Sequence, residues 1–228
     1  MRCGDPREGG TGNPAAGVVA GSFDAVVLAG GQGTRAGGID KLTQVVGKRT
    51  LLASVTSAVV TAGAAKVILV GPRRPGLLAS EPKPPLGFAF VREDPPGSGP
   101  VAALRAGLAT VTAPLVAVLA ADLPFLRARH LTLLLTAMSS SNAGVLVVDE
   151  SGRRQWLASC WRTAALREAL ATYDGRSLHG LMDPLAPLLL HCPRTPGEPP
   201  AWLDCDTGED LARAREWEQK LERPHEHS

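Results

Sequence analysis

The chain has 228 residues and a formal net charge of +2. That length suffices for one α/β domain with a sizeable core, and so small a charge argues against bulk nucleic-acid binding. Hydrophobic residues make up 44% and aromatics only 4%, so the core must be Ala, Val and Leu, and no run reaches the roughly 18 apolar residues that would signal a membrane span.

Residues 1–22 are rich in Gly and Pro, lack the apolar stretch of a signal peptide, and are expected to form a disordered extension. The domain is expected over residues 23–221, with a frayed tail at 222–228. The four cysteines, Cys3, Cys160, Cys192 and Cys205, are widely spaced with no C-x-x-C pair. That argues against a zinc knuckle or a disulfide framework and makes the cytoplasm the simplest compartment.

The first predicted element is a buried strand at residues 25–29, a short apolar run next to glycines. It breaks into Gly30, Gly31 and Gly33, with Gly37 and Gly38 following. Glycine lets backbone N–H groups close on a polyanion, and Arg35 and Lys41 add positive charge. The stretch therefore reads as strand, phosphate-holding loop and cationic clamp. It is not a Walker loop, because no Gly-Lys-Ser/Thr follows at the required spacing. It fits the dinucleotide pattern G-x-G-x-x-G only with Ala36 in the last place, and that pattern leaves Arg35 and Lys41 without a role.

The run L-A-G-G-Q-G-T-R-A-G-G-I-D-K resembles the opening loop of the nucleotidyltransferase superfamily, and most closely that of the molybdenum cofactor guanylyltransferase family. Later elements are consistent with it. A short strand-like segment at 42–46 leads to a helix at 51–62, with Thr50 as N-cap. A second buried strand at 66–70 ends in Gly71-Pro72-Arg73-Arg74. Strand, loop, helix and strand open a doubly wound, mostly parallel α/β sheet in one domain, with ligands at the carboxyl ends of its strands. After a Pro-rich loop, a strand at 88–91 runs into E-D-P-P-G-S-G-P and a helix at 101–109. This resembles the family's E-D segment before G-P-L-A-G, which implies that Asp94 lies on the ribose and guanine side. From the residues alone, Asp94 can also be a turn residue.

Residues 114–121 form the most apolar run and are expected to be the central strand. It ends in Asp122-Leu123-Pro124-Phe125, where a carboxylate is placed for a hard metal ion. Asp122 can also cap the next helix. A helix is expected at 129–139, a strand at 143–148 and a turn at 149–152. The segment 153–162, R-R-Q-W-L-A-S-C-W-R, resembles the family strand that walls the second-substrate cleft, with Trp156 where Pro is usual. Arg153, Arg154 and Arg162 can equally be a solvated sheet edge. Helices at 163–172 and 176–182 and a strand at 188–191 follow, with His179 and His191 read as non-catalytic. Last comes D-C-D-T-G-E-D-L, which resembles the family's closing motif with Gly208 in place of Pro. Thr207 and Asp210 suit a capping box, and Asp204 or Asp206 can reach a metal.

The resemblance covers most of residues 25–214 and implies transfer of GMP from GTP to molybdopterin. It implies that the backbone of Leu28, Ala29, Gly30, Gly31 and Gly33 holds the nucleotide, together with Lys41, Asp94 and Asp122. Arg35 and Lys41 stabilise the triphosphate, and Asp122 coordinates Mg²⁺. The expected partners are GTP and molybdopterin, with transient contact to other molybdenum cofactor enzymes and no nucleic acid or membrane. A cytidylyltransferase sister, a sugar-phosphate nucleotidylyltransferase and a non-catalytic nucleotide-binding module are the alternatives.

Overall fold

A computed structural model describes residues 22–30, 40–74, 76–78, 81–192 and 196–222. The expected extension before Ser22, the tail after Glu222, and Gly31, Gly33 and Arg35 of the opening loop lie outside the described residues.

Strand β1 is Phe23–Leu28. A 3-10 turn at Lys41–Thr43 follows, then a small antiparallel ribbon of β2 (Val45–Val46) and β3 (Arg49–Thr50). The sequence suggested a strand-like segment from 42. The turn forms instead because the Asp40 carboxylate accepts the Leu42 N–H at 3.1 Å and caps it. Helix α1 is Leu51–Thr61, capped as expected by Thr50 Oγ1, which accepts the Ala53 N–H at 3.2 Å. Strands β4 (Lys66–Val70) and β5 (Phe88–Val91) precede helix α2 (Pro100–Leu108). Strand β6 (Leu115–Ala120), helix α3 (Ala128–Thr136), strands β7 (Gly144–Val148) and β8 (Arg154–Arg162), and helices α4 (Thr163–Thr172) and α5 (Leu178–Met182) come next. Strand β9 (Leu188–His191) and helix α6 (Gly208–Glu222) complete the order.

The main sheet runs β5-β4-β1-β6-β8-β7-β9. Neighbours are parallel except at β8, which runs antiparallel to both β6 and β7. Strand alternation divides the core between two faces. Ala25, Val27, Val67 and Leu69 join α1, α3 and α6 on one side, while Val26, Ile68, Val116 and Val118 join α2, α4 and α5 on the other. This is the doubly wound arrangement expected from the sequence. Strand β8 is internal over residues 158–162, where it pairs with both β6 and β7, so Arg162 does not mark a sheet edge, whereas Arg154 pairs with β7 alone. Gly144 lies against the fully buried Trp161: a Cβ there would meet the indole at 2.2 Å. Among the described residues, no helix is long and apolar enough to cross a membrane.

Candidate active site

The chain passes leftward in the sheet from β1 to β4 and rightward to β6, so the strand order reverses between β1 and β6. Open α/β sheets bind ligands at the carboxyl ends of strands at such a reversal. Here those ends are level: Leu28 pairs with Ala120, and the Ala121 N–H donates to Leu28 O at 3.2 Å. Ala29, Gly30 and Asp122 therefore leave adjacent strands together. Gly71, after β4, closes the third side. It has φ +143°, and a Cβ there would lie 2.6 Å from Ala29 O and 2.7 Å from Gly30 N, so no side chain fits.

Lys41 returns to this junction from the far end of the opening loop. Its Nζ donates to Asp122 Oδ2 at 2.5 Å and to Asp206 Oδ1 at 2.9 Å. Burial works against the ammonium, but the Asp122 charge and the hydrogen bonds to Asp122 and Asp206 outweigh it, so the pKa stands above the ordinary lysine value. Asp40, beside it, pairs with the Arg74 guanidinium, which also donates to Ala29 O at 3.1 Å. Burial opposes the Asp40 charge, and the bonds from Arg74 and from the Leu42 N–H more than offset it, leaving a lowered pKa.

The closing segment is laid along the end of β6, with the Cys205 N–H donating to Asp122 O at 3.2 Å. Helix α6 begins immediately after it with the expected reciprocal cap. The Thr207 N–H donates to Asp210 Oδ2 at 2.7 Å, and the Asp210 N–H donates to Thr207 Oγ1 at 3.0 Å. Of the two acids in D-C-D, Asp206 reaches Lys41. Burial, followed by the charges of Asp206 and Asp122, pushes the Asp204 pKa up.

Two carboxylate oxygens thus converge on one cation, although no group of three potential metal ligands is assembled among the described residues. This set of hard oxygens suits Mg²⁺, which takes one or two carboxylates and completes its shell with phosphate oxygens and water.

A cleft of about 1550 Å³ opens over this centre. Small-molecule sites typically enclose about 300–1,000 Å³, so there is room for two substrates. Leu28, Gly30, Lys41 and Asp122 line it, as do Glu93, Gly97 and Gly99 at one end and Arg154, Trp156, Arg176 and His179 at the other. Ala29 lies behind the wall, buried. Asp94 is exposed and does not line the cleft. Its neighbour Glu93 turns inward because its Oε1 accepts the Gly97 N–H at 3.0 Å, which leaves Asp94 on the outer side of the turn. Glu93 and Arg74 were missed from sequence. The E-D pair and the R-R pair were visible, but which member of each faces inward depends on the turn geometry.

At the second end, Arg154 pairs with Asp183 and lies 5.9 Å from the Trp156 ring centroid, while His179 meets Trp156 edge-on at 5.4 Å. Arg154 and Trp156 belong to the segment whose sequence resembles the family strand that walls the second-substrate cleft.

Comparison with known proteins gives the family. The MobA-like NTP transferase domain matches residues 25–189. A probable molybdenum cofactor guanylyltransferase from Natronomonas pharaonis is 30% identical over 204 residues, covering 84% of this chain and 96% of the relative. A molybdenum cofactor guanylyltransferase from Bradyrhizobium is 29% identical over 198 residues, covering 83% and 90%. Among solved structures, a nucleotidyl transferase from Methanothermobacter thermautotroptrophicus superposes with a TM-score of 0.69 at 20% identity, over 88% of this chain and 99% of that one. That last likeness establishes the fold.

Proposed function

This chain belongs to the MobA-like NTP transferase family and is a nucleotidyltransferase, and from that premise we propose that it transfers GMP from GTP to the terminal phosphate of molybdopterin in the cytoplasm. The observation that carries the reading is the Lys41 ammonium, held between Asp122 and Asp206 where the strand order reverses.

In the proposed reaction an oxygen of the molybdopterin phosphate attacks the α-phosphorus of GTP. The bond to the bridging oxygen of the β-phosphate breaks, and its electron pair leaves with pyrophosphate. The attacking oxygen is already anionic, so no general base is needed, and catalysis rests on positioning and charge. Lys41 supplies a fixed positive charge for the phosphates, kept protonated by its two carboxylates. Asp122, with Asp206 in reach of the same point, would hold Mg²⁺, which supplies Lewis-acid polarisation and charge neutralisation. Arg35 is assigned to the triphosphate on the family resemblance. Arg154 and Arg176 give the acceptor phosphate a cationic wall. Contact with other molybdenum cofactor enzymes, for delivery of acceptor or product, belongs to the same proposal.

The test is pyrophosphate release by the full chain with Mg²⁺ and molybdopterin, comparing GTP with CTP. Release with GTP should be at least about tenfold faster, the scale of one base-reading hydrogen bond. Equal or faster release with CTP overturns the guanine assignment, and GTP binding without release overturns the transfer.

A further inference from the structure

Glu93 follows β5, the outermost strand on its side of the sheet. Its carboxyl nevertheless reaches back across β4 to the β1 loop, where a Cβ built on Gly30 would lie 3.7 Å from Glu93 Oε1. The residue is 7% exposed and lines the cleft. One oxygen is accounted for by the Gly97 N–H. The other, Oε2, is buried with no hydrogen-bond partner among the described residues. A buried carboxylate oxygen without a donor is costly, and a cap for Gly97 uses only one of the two.

We propose that Glu93 is the specificity-determining residue for the nucleobase, accepting hydrogen bonds from the donor edge of guanine. This rests on the guanine reading above and adds the residue that enforces it. An ionised carboxylate only accepts. Guanine offers N1–H and the N2 amino group side by side. Cytosine and adenine each set an amino group beside a ring-nitrogen lone pair, which a carboxylate repels. Uracil sets its single N–H between two carbonyls.

The placement agrees with the charges. The phosphates belong at Lys41, between the two ends of the cleft. The Arg154 and Arg176 end offers two cations to a second phosphorylated molecule, whereas the other end sets the buried Glu93 carboxylate beside the exposed Arg92. The base therefore extends toward Glu93 and the acceptor toward the arginines.

The experiment is calorimetric titration of the full chain and of Glu93→Gln with GTP, ITP and CTP. ITP keeps N1–H and lacks the N2 amino group. The native chain should bind GTP about tenfold to a hundredfold more tightly than ITP, the scale of one hydrogen bond to a charged group. In Glu93→Gln that ratio should fall to about threefold or less, because the carboxamide replaces one acceptor with a donor. A native chain that binds CTP as tightly as GTP overturns the guanine reading itself. A native preference for GTP with an unchanged GTP-to-ITP ratio in Glu93→Gln overturns only the Glu93 assignment; a lowered Tm alone would then mark a turn cap. Should Glu93→Gln not fold, Glu93→Asp serves. It keeps the charge but shortens the reach, and the same ratio decides.

Discussion

The two halves of the sheet build their share of the cleft in opposite ways. On the side of β5, β4, β1 and β6 the strands are parallel, and the site residues stand on the loops that leave their carboxyl ends: Gly30, Gly71, Glu93 and Asp122. On the other side β8 runs the reverse direction, so its first residues arrive at the same rim, and Arg154 and Trp156 stand on the strand itself. Charge is also placed differently: the parallel half buries the Glu93 carboxylate beside an exposed Arg92, whereas the β8 half presents Arg154, paired with Asp183, and Arg176. Reversing one strand gives that end of the cleft a wall built on the sheet itself, and side chains on a strand are held more firmly than side chains on loops.

The sharpest way to break this picture is at the junction both halves share. Asp122→Asn should lower single-turnover transfer by about a hundredfold to a thousandfold, the cost of one preorganised charge contact. Lys41→Ala should do the same. Near-normal turnover in either would remove the junction from the chemistry. The halves should separate under Arg154→Ala. We expect the acceptor KM to rise about tenfold, as for loss of a charge-assisted hydrogen bond, while the Kd for GTP stays within about twofold. An equal loss of GTP affinity would show that the two ends act as one site. Asp206→Asn should cost less than Asp122→Asn, about fivefold to tenfold in turnover, because exposed charge pairs are screened by solvent. The Asp206 side chain is 58% exposed, against 12% for Asp122.

The two halves also differed in how far they could be read from sequence. The parallel half carries its signals locally. An apolar run breaking into glycines and a strand ending in D-L-P are properties of single segments, and with the helices between them they fixed the order of elements. Thr50 and Thr207 were legible as caps for the same reason. What was not local was not legible. The direction of β8 is set by its partners β6 and β7, so Arg154 could be read equally as cleft wall or as sheet edge. Asp206 meets Lys41 across 165 positions, and only packing of α6 against the rest of the sheet decides which acid of D-C-D arrives. Glu93 and Asp94 are adjacent, and the Gly97 N–H selects between them.

The smallest expected effect concerns helix α3, which joins the halves. Leu131 packs into the core shared by β1 and β6, and Leu134 into that of β7 and β8. The helix starts on a side-chain cap in which the Arg127 N–H donates to His130 Nδ1 at 3.1 Å, while the His130 N–H donates to the Arg127 backbone carbonyl at 3.0 Å. Burial, with the charges of Arg129 and Arg127, pushes the His130 pKa down from 6.5 to about 4. Protonation turns Nδ1 from acceptor to donor and breaks the cap. Between those two values the unfolded chain binds the extra proton and the folded chain does not, so this contribution to stability is complete above 6.5 and is lost as pH falls toward 4. The imidazole is partly solvated, so the loss should be on the order of 1 kcal/mol rather than the full value of the shift. Carboxylates titrate in the same range, so the measurement is a difference. Urea unfolding of the native chain and of His130→Gln, whose carboxamide can still accept the Arg127 N–H, should give stability curves that diverge as the pH is lowered. Parallel curves would mean that the cap tolerates the proton and that α3 holds the halves together through Leu131 and Leu134 alone.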